Sequence, residues 1–406
     1  MTGDNAFSNL IFIWVKKMDG KPLRIRRLEL TDIGGFKHME INFSEQLSLI
    51  CGPNGVGKTT VLDAVGSIFV ANYSFNVIKR RSGSELGRIQ YIISANGEDL
   101  HRGGEVRNFN PDENVNPFGY DGANTSKVIY VKSSRDLGYG QLSGVMRDPV
   151  KDINGYQLQA VNGISVHDIK QWFSNRYLMR PHGEHWPEYQ LENFEVAKTF
   201  FSLLDPTVEL SHVDSSTFDI MLKTRSGLIP FEYMSAGFRT SYALILGILK
   251  EIEFRRLSVS ANNFDGIILV DELDLHLHPT WHGPMLYALK ASYPRAQIIV
   301  TTHSPHMVQC AKLEELIILP REGVHPTRLK GVDPEFGLIG WTVEEILRDV
   351  MGMEDPRPLA FVKIMERYED AVTRKDYIEM EVAKSEVLRA LHPSSVVRQI
   401  IKIEAI

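Results

Sequence analysis

A nine-residue segment, GPNGVGKTT at 52–60, constrains the fold of this 406-residue chain more than any other feature. Gly52 and Gly57 frame its pattern with four residues between them, and glycines let the backbone turn inward so that successive amides point at one anion. The apolar run LSLIC at 47–51 precedes the segment, and apolar residues at helical spacing follow it. This order of buried strand, glycine loop and helix predicts a P-loop within an α/β fold.

The same segment supplies the candidate nucleotide ligands. Lys58 is expected to reach the β- and γ-phosphates of a nucleoside triphosphate, and Thr59 is expected to ligate Mg²⁺. A helix that begins near Lys58 adds the positive end of its dipole. The sequence therefore predicts ATP as the substrate and Mg²⁺ as the cofactor. The residues predicted to bind nucleotide are Pro53, Asn54, Gly55, Val56, Gly57, Lys58, Thr59 and Thr60.

An acidic pair follows a second apolar run, IILVDE at 267–272. The four apolar residues predict a buried strand, and Asp271 emerges at its carboxyl end, where it can hold Mg²⁺ through water. Glu272 points elsewhere as the next residue and can polarise an attacking water. The pair therefore predicts the metal-binding and catalytic part of the site.

Two further segments carry candidate site residues. TTHSP at 301–305 ends another buried strand, and its His303 can sense the γ-phosphate and help to position the water. MSAGFRT at 234–240 joins a predicted hairpin to a helix. Ser235 and Gly237 can present a hydroxyl group and amides to a phosphate at that helix start.

The chain is expected to divide into three parts. Residues 1–70 and 208–325 form the ATPase head, a mixed sheet with helices. Residues 71–207 form an insertion of mixed strands followed by helices. Residues 326–406 form a C-terminal helical region that includes a capping box at Thr342.

Composition limits the classes of protein to which the chain can belong. The net charge of −6 argues against a chain coated in nucleic acid throughout and leaves a local basic groove open. Cys51 and Cys310 cannot form a disulfide framework, which favours a reducing compartment. The apolar run at 10–15 is shorter than the roughly 20 residues that span a bilayer, and it lacks the basic flank and cleavage site of a signal peptide. The sequence predicts a soluble cytoplasmic protein with no membrane partner.

Taken together, the motif order resembles the ABC-type ATPase heads of the RecF, SMC and OLD group. DELDLHLHP at 271–279 and the opening LELTDIGGFKHMEINF look especially like the RecF and OLD side of that group. The tail, GWTVEEILRDVMGMEDPRP at 340–358 with two helices after it, is similar to ATPase subunits of bacterial anti-phage systems. These include the PtuA subunit of Septu and retron-associated ATPases.

The resemblance implies a head-to-head homodimer with two ATP molecules sandwiched between the protomers. It also assigns roles by position: Asp271 as the Mg²⁺ aspartate, Glu272 as the catalytic glutamate, His303 as the switch histidine, and Ser235 and Gly237 as the signature that contacts the γ-phosphate in trans. The signature departs from the commoner LSGGQ because it is MSAGFR. The Q-loop glutamine stays open between Gln90 and Gln141.

Two related classes are excluded. Residues 71–225 carry no heptads and are interrupted by proline and glycine, which excludes long coiled-coil arms. The residues after 320 predict helices without the acidic constellation of a Toprim nuclease. A chain of this kind is therefore expected to control a separate effector, such as an HNH-type nuclease or retron components.

Two alternatives to a defence ATPase were weighed. One is a RecF-like DNA repair ATPase that binds DNA directly, so nucleic acid stays open as a partner. The net negative charge counts against it. The other is the ATPase of a membrane transporter, which the long insertion and the HLHP sequence disfavour.

Overall fold

The computed structural model describes residues 21–70, 77–110, 122–135, 137–355 and 357–403. The chain divides into two units, whose boundary falls between Ile346 and Leu347. The apolar run at 10–15 lies outside the described residues.

A five-stranded parallel sheet forms the centre of the first unit. Every residue of its four longer strands is buried, as expected where helices cover both faces of a parallel sheet. The strands predicted from LSLIC, IILVDE and TTHSP are confirmed and lie side by side. In spatial order the strands are β12 (Leu316–Ile318), β3 (Leu47–Cys51), β11 (Gln297–Thr301), β10 (Ile267–Val270) and β6 (Val128–Val131).

Two antiparallel sheets accompany the parallel one. The four-stranded sheet consists of β2 (Phe36–Asn42), β1 (Arg24–Ile33), β4 (Gly87–Ala95) and β5 (Glu98–Val106). The three-stranded sheet consists of β7 (Glu209–Val213), β8 (Ile220–Thr224) and β9 (Gly227–Pro230). Sequence patterning did not predict β5, because most of its residues are exposed and it lacks the apolar alternation of a half-buried strand.

Within the described residues of the first unit, seven α-helices lie between residues 58 and 310. They are α1 (Lys58–Ser67), α2 (Ile153–Asn162), α3 (Ile169–Met179), α4 (Glu188–Leu204), α5 (Ala236–Phe254), α6 (His282–Ser292) and α7 (Pro305–Cys310). The 19-residue helix α5 is buried over most of its length. Ser235 caps α5, so the helix begins within the MSAGFRT segment, as the sequence predicted.

Strands from the segment predicted as an insertion share sheets with the predicted head. β4 pairs with β1 in antiparallel orientation, and β6 pairs with β10 in parallel orientation. Helices α2, α3 and α4 then follow in the order that the sequence predicted. The division into head and insertion stays a prediction, and the strands of the insertion extend the sheets that position the site.

The capping box near the end of the first unit is confirmed. The Thr342 hydroxyl accepts a hydrogen bond from the Glu345 amide at 3.2 Å, and the Thr342 amide donates to the Glu345 carboxylate at 2.7 Å. Helix α8 (Val343–Glu345) begins there, and a π-helical turn (Ile346–Val350) follows it.

The second unit contains the two predicted tail helices, α9 (Leu359–Arg374) and α10 (Tyr377–Ala390), and a further helix, α11 (Val396–Ile403). Arg367 pairs with Glu379 and Glu386 across α9 and α10. Both cysteines of the chain are free thiols. Among the described helices, none is both long and apolar enough to cross a membrane.

The close approach of α1 to α2 yields a stability prediction. A Cβ added at Gly66 would lie 2.1 Å from the Ala160 carbonyl oxygen of α2. Overpacking against backbone costs about 3 kcal/mol at the upper end of its range, whereas replacing glycine within a helix gains about 1 kcal/mol. We expect Gly66→Ala to lower the free energy of unfolding by about 2 kcal/mol in urea titrations.

The matched control is Gly35→Ala, because no heavy atom lies within 4 Å of a Cβ added at Gly35. Its stability should stay within about 0.5 kcal/mol of the parent chain. A Gly66→Ala protein as stable as the parent would contradict the close packing of the two helices.

Candidate functional site

The P-loop adopts a backbone that glycine makes accessible. Gly52, Gly55 and Gly57 have φ values of 131°, 74° and 101°. A Cβ at Gly52 would meet the Leu319 carbonyl oxygen at 2.4 Å, and a Cβ at Gly57 would meet the Phe36 ring at 2.6 Å. The two ends of the loop, at Gly52 and Gly57, are therefore closely packed against neighbouring residues, whereas its tip at Gly55 is exposed.

Lys58 is buried at the first position of α1. Its ammonium group donates hydrogen bonds to the carbonyl oxygens of Gly52 and Pro53, both at 2.9 Å. Burial lowers the pKa of Lys58, and the carboxylates of Asp271 and Glu272 act in the opposite direction. The ammonium is thus held beside the first two residues of the loop, where a bound anion would compensate for the hydration that burial removes.

Thr59 and Asp271 meet at the carboxyl edge of the parallel sheet. The Thr59 hydroxyl donates to the two Asp271 carboxylate oxygens at 3.1 and 3.3 Å, and the Thr301 hydroxyl donates to one of them at 2.7 Å. Hydroxyl and carboxylate oxygens suit Mg²⁺, which takes one or two protein ligands and keeps water or phosphate at its other positions. The described residues contain no cluster of three or more His, Cys, Asp or Glu placed to hold a metal. The hydroxyl and carboxylate oxygens of Thr59 and Asp271 fit Mg²⁺.

Glu272 has a backbone conformation that is uncommon for glutamate. Its φ is +49°, in the left-handed region, and its side chain is half-buried. The Glu272 amide donates to the Thr301 hydroxyl at 2.7 Å, and the Arg135 guanidinium donates to the Glu272 carbonyl at 2.6 Å. These contacts fix the direction in which the carboxylate leaves the sheet edge.

Sequence reasoning missed Thr301 and Arg135. Thr301 is the last residue of β11, and its hydroxyl joins Asp271 to the Glu272 amide. Arg135 stands in the polar stretch KSSRD with no motif around it, and its burial to 2% exposure is visible only in the fold. The TTHSP motif contained a signal for Thr301, because that residue ends the strand beside the acidic one.

His303 lies exposed directly after β11. Its amide donates to the Asp274 carboxylate at 3.0 Å, and the Thr302 hydroxyl donates to the same carboxylate oxygen at 2.7 Å. Asp274 therefore ties the segment after β10 to the segment after β11. The predicted switch histidine and the predicted catalytic glutamate are brought to the same edge of the sheet.

A buried histidine links the segments that follow β10 and β11. His282 at the start of α6 lies with Nε2 3.2 Å from the Leu277 carbonyl oxygen and Nδ1 2.6 Å from the Ser304 hydroxyl. A carbonyl oxygen only accepts, so Nε2 carries the proton and Nδ1 accepts from Ser304. Burial lowers the pKa of His282, which favours this neutral ring.

The predicted signature residues, Ser235 and Gly237, lie at the start of α5. Ser235 is exposed, and its hydroxyl accepts a hydrogen bond from the Phe238 amide at 3.4 Å. A Cβ at Gly237 would meet the His276 carbonyl oxygen of the same chain at 2.3 Å. Glycine at 237 therefore lets the helix start pack on the loop that follows the acidic strand.

The Q-loop candidates lie elsewhere. Gln90 is exposed on β4, and Gln141 is exposed in the loop after β6. Within the described part of the chain, neither side chain has a hydrogen bond to the P-loop or to the segment after β10. The choice between them stays open.

Comparison with known proteins identifies relatives of this chain. Two family profiles match, "AAA domain" over residues 27–182 and "AAA domain, putative AbiEii toxin, Type IV TA system" over residues 169–308. The Septu protein PtuA of Bacillus thuringiensis is 37% identical over 389 residues, which cover 94% of this chain and 98% of that protein.

More distant relatives match smaller shares of their own length. The Septu protein PtuA of Bacillus mycoides is 25% identical over 72% of this chain and 40% of that protein. The "Retron Ec83 probable ATPase" of Escherichia coli is 29% identical over 37% of this chain and 27% of that protein. Among solved structures, the SMC head domain of Thermotoga maritima gives a TM-score of 0.41 at 16% identity, covering 72% of this chain and 94% of that one.

The bridging role of Thr301 generates a prediction. Thr301→Val removes the hydroxyl but keeps the side-chain shape. The Glu272 amide then loses its side-chain partner, and one Asp271 oxygen keeps only the Thr59 hydroxyl. Leaving a buried polar group unsatisfied costs about 1–3 kcal/mol. We expect a loss of that size in the free energy of unfolding, measured by chemical denaturation.

Thr240→Val is the matched control. Thr240 is also buried, and its hydroxyl donates to the Ala236 carbonyl of its own helix at 2.8 Å. That carbonyl is part of the helical hydrogen-bond ladder, so the control should lose less than about 0.5 kcal/mol. Equal stabilities for the two variants would show that the Thr301 bridge contributes nothing.

Proposed function

The chain belongs to the family of Septu PtuA proteins, and from that premise we propose that it is a Mg²⁺-dependent ATPase that acts as the switch of a bacterial anti-phage defence system. One observation carries the proposal. The fold brings Thr59 to within 3.1 Å of an Asp271 oxygen across a separation of 212 residues. A P-loop threonine and a strand-end aspartate that meet in this way form a phosphate and Mg²⁺ site.

Residues 53–60 bind the triphosphate of ATP in this proposal. The backbone amides of the loop and the start of α1 attract the phosphates, and the Lys58 ammonium neutralises their charge. Thr59 and Asp271 hold Mg²⁺, which supplies further charge neutralisation at the β- and γ-phosphates when bound. The buried position of Lys58 supports this role, because a cation with little water around it favours an anionic partner.

Glu272 orients and deprotonates the attacking water, and His303 senses the γ-phosphate from the neighbouring segment. Both residues follow strands that are adjacent in the parallel sheet. The carboxylate of Glu272 leaves a rigid backbone, which suits a group that must act on a water molecule within hydrogen-bond reach. The link through Asp274 keeps the two segments in register.

ATP also joins two copies of the chain in this proposal. Ser235 is exposed at the start of a 19-residue helix, whose positive dipole end attracts anions. Ser235 and Gly237 of one copy contact the γ-phosphate held by the other copy. Closure of the homodimer then depends on the γ-phosphate, and its hydrolysis releases the two heads.

The closed and open states control a separate effector in the cytoplasm. Septu PtuA and the retron probable ATPases are the relatives that support this step. An effector of the HNH nuclease type or a retron component is held inactive in one state and released in the other. The genes beside that of this chain identify which effector it is.

The role of Glu272 can be tested with one substitution. Glu272→Gln keeps size and hydrogen bonding but removes the base, and removing a general base costs about 10²- to 10⁴-fold in rate. We expect hydrolysis to fall by at least about 100-fold, measured as phosphate release, while ATP affinity measured by equilibrium titration stays within threefold.

Glu322→Gln, at an exposed position, serves as the control and should hydrolyse ATP at the parent rate. Parent-like phosphate release by Glu272→Gln would remove the base from the proposal. The parent chain failing to hydrolyse ATP in Mg²⁺ would remove the ATPase itself.

The trans contact can be tested by light scattering. In the Glu272→Gln background, ATP and Mg²⁺ should raise the molar mass to that of a dimer. Adding Ser235→Arg places a bulky cation at the exposed helix start and should abolish the ATP-induced increase, with ATP binding retained. Ser226→Arg, in the exposed turn after β8, should leave the increase intact. Dimers that persist with Ser235→Arg would refute this interface.

A further inference from the structure

Arg135 makes a set of contacts that no predicted role accounts for. It lies after β6 and is 2% exposed. One terminal nitrogen donates to the Asp271 carbonyl at 2.8 Å, and the other donates to the Glu272 carbonyl at 2.6 Å and the Leu273 carbonyl at 3.4 Å. A single buried guanidinium thus spans three successive carbonyl groups of the segment that carries the acidic pair.

The backbone segment to which Arg135 donates hydrogen bonds includes Glu272, which has an unfavourable conformation. Glu272 has a φ of +49°, and non-glycine residues keep such angles only where their surroundings fix them. The amide side of Glu272 is fixed by the Thr301 hydroxyl, and the carbonyl side is fixed by Arg135. The direction of the Glu272 carboxylate therefore depends on both contacts.

We propose that Arg135 is a positioning residue for ATP hydrolysis, whose planar fork holds the segment 271–273 so that the Glu272 carboxylate faces the attacking water. The inference rests on the proposed ATPase function and deepens it. The fork matters because arginine offers several donors in one plane, whereas lysine offers a single point charge.

The loop downstream of Arg135 is held by side chains that do not contact the acidic pair. Downstream in the same loop, the Lys170 ammonium donates to the Gly140 carbonyl at 2.9 Å, and Arg176 pairs with Asp148 at 2.6 Å. Both anchoring side chains belong to α3. Arg135 therefore lies between the end of β6 and a loop that α3 holds in place.

A purely electrostatic role is the main alternative. Arg135 is a cation beside Asp271, Glu272 and Asp274, and burial lowers its pKa to about 10, which still leaves it charged at neutral pH. Charge alone would be supplied equally well by lysine. The planar guanidinium is needed only if hydrolysis depends on holding the carbonyl groups of residues 271–273 in a fixed arrangement.

The experiment separates nucleotide binding from chemistry in Arg135→Met and Arg135→Lys. Affinity is measured by titration with a fluorescent ATP analogue, and chemistry by single-turnover hydrolysis per bound ATP. We expect Arg135→Met to hydrolyse about 100-fold more slowly, because small misplacements of a catalytic group cost about that much. Its affinity should stay within threefold of the parent chain. Arg135→Lys should recover only part of the rate and stay about tenfold below the parent.

Arg255→Met is the matched control. Arg255 is 3% exposed and donates to the Thr125 and Val128 carbonyls near the opposite end of β6. It should lower thermal stability yet keep single-turnover hydrolysis within twofold of the parent per bound ATP. A merely structural role for Arg135 would make the two methionine variants behave alike.

Two results would overturn the inference. One is hydrolysis by Arg135→Met within twofold of the parent, and the other is full recovery by Arg135→Lys, which would reduce the role to charge. If Arg135→Met does not fold, the rate of Arg135→Lys decides alone. Either failure leaves the defect of Glu272→Gln untouched, whereas failure of the ATPase proposal appears as an inactive parent chain.

Discussion

The hydrogen bond between Thr59 and Asp271 is possible only because β3 and β10 run parallel on either side of β11. Parallel strands place all their carboxyl ends at one edge of a sheet. Three loops far apart in sequence consequently meet there, each following a fully buried strand. The packing of those buried strands sets the distance between the Thr59 hydroxyl and the Asp271 carboxylate. The geometry of the site therefore depends on the packing of the core.

Several residues at the same edge of the sheet have positive φ angles, which glycine permits or which surrounding contacts hold. Glycine at 52 and 57 permits positive φ angles and close packing beneath the P-loop. Glu272 adopts the left-handed angle without being glycine. Its amide donates to the Thr301 hydroxyl and its carbonyl accepts from Arg135, and these two hydrogen bonds hold the angle. Strain of this kind is common where a side chain must point in one direction. The arrangement explains why Thr301 and Arg135, to which the sequence assigned no role, lie buried against the acidic segment.

Sequence patterns were sufficient for those parts of the fold in which local chemistry determines local structure. The LSLIC and IILVDE runs predict buried strands because continuous apolar residues can be covered on both faces. β5 was missed because its polar, glycine-containing sequence becomes a strand only through pairing with β4. Arg135 was missed for a similar reason, since its partners are backbone carbonyls more than a hundred residues away. The roles of Ser235 and His303 depend on a second molecule or a phosphate, and no pattern within one chain determines them.

The proposed function requires that the P-loop and Asp271 together hold MgATP. The most direct measurement is a structure of the Glu272→Gln protein determined with ATP and Mg²⁺. We expect the triphosphate to lie against the amides of residues 53–60, with the metal between the Thr59 hydroxyl and Asp271. An empty P-loop at saturating ATP, or a nucleotide bound away from these residues, would contradict it.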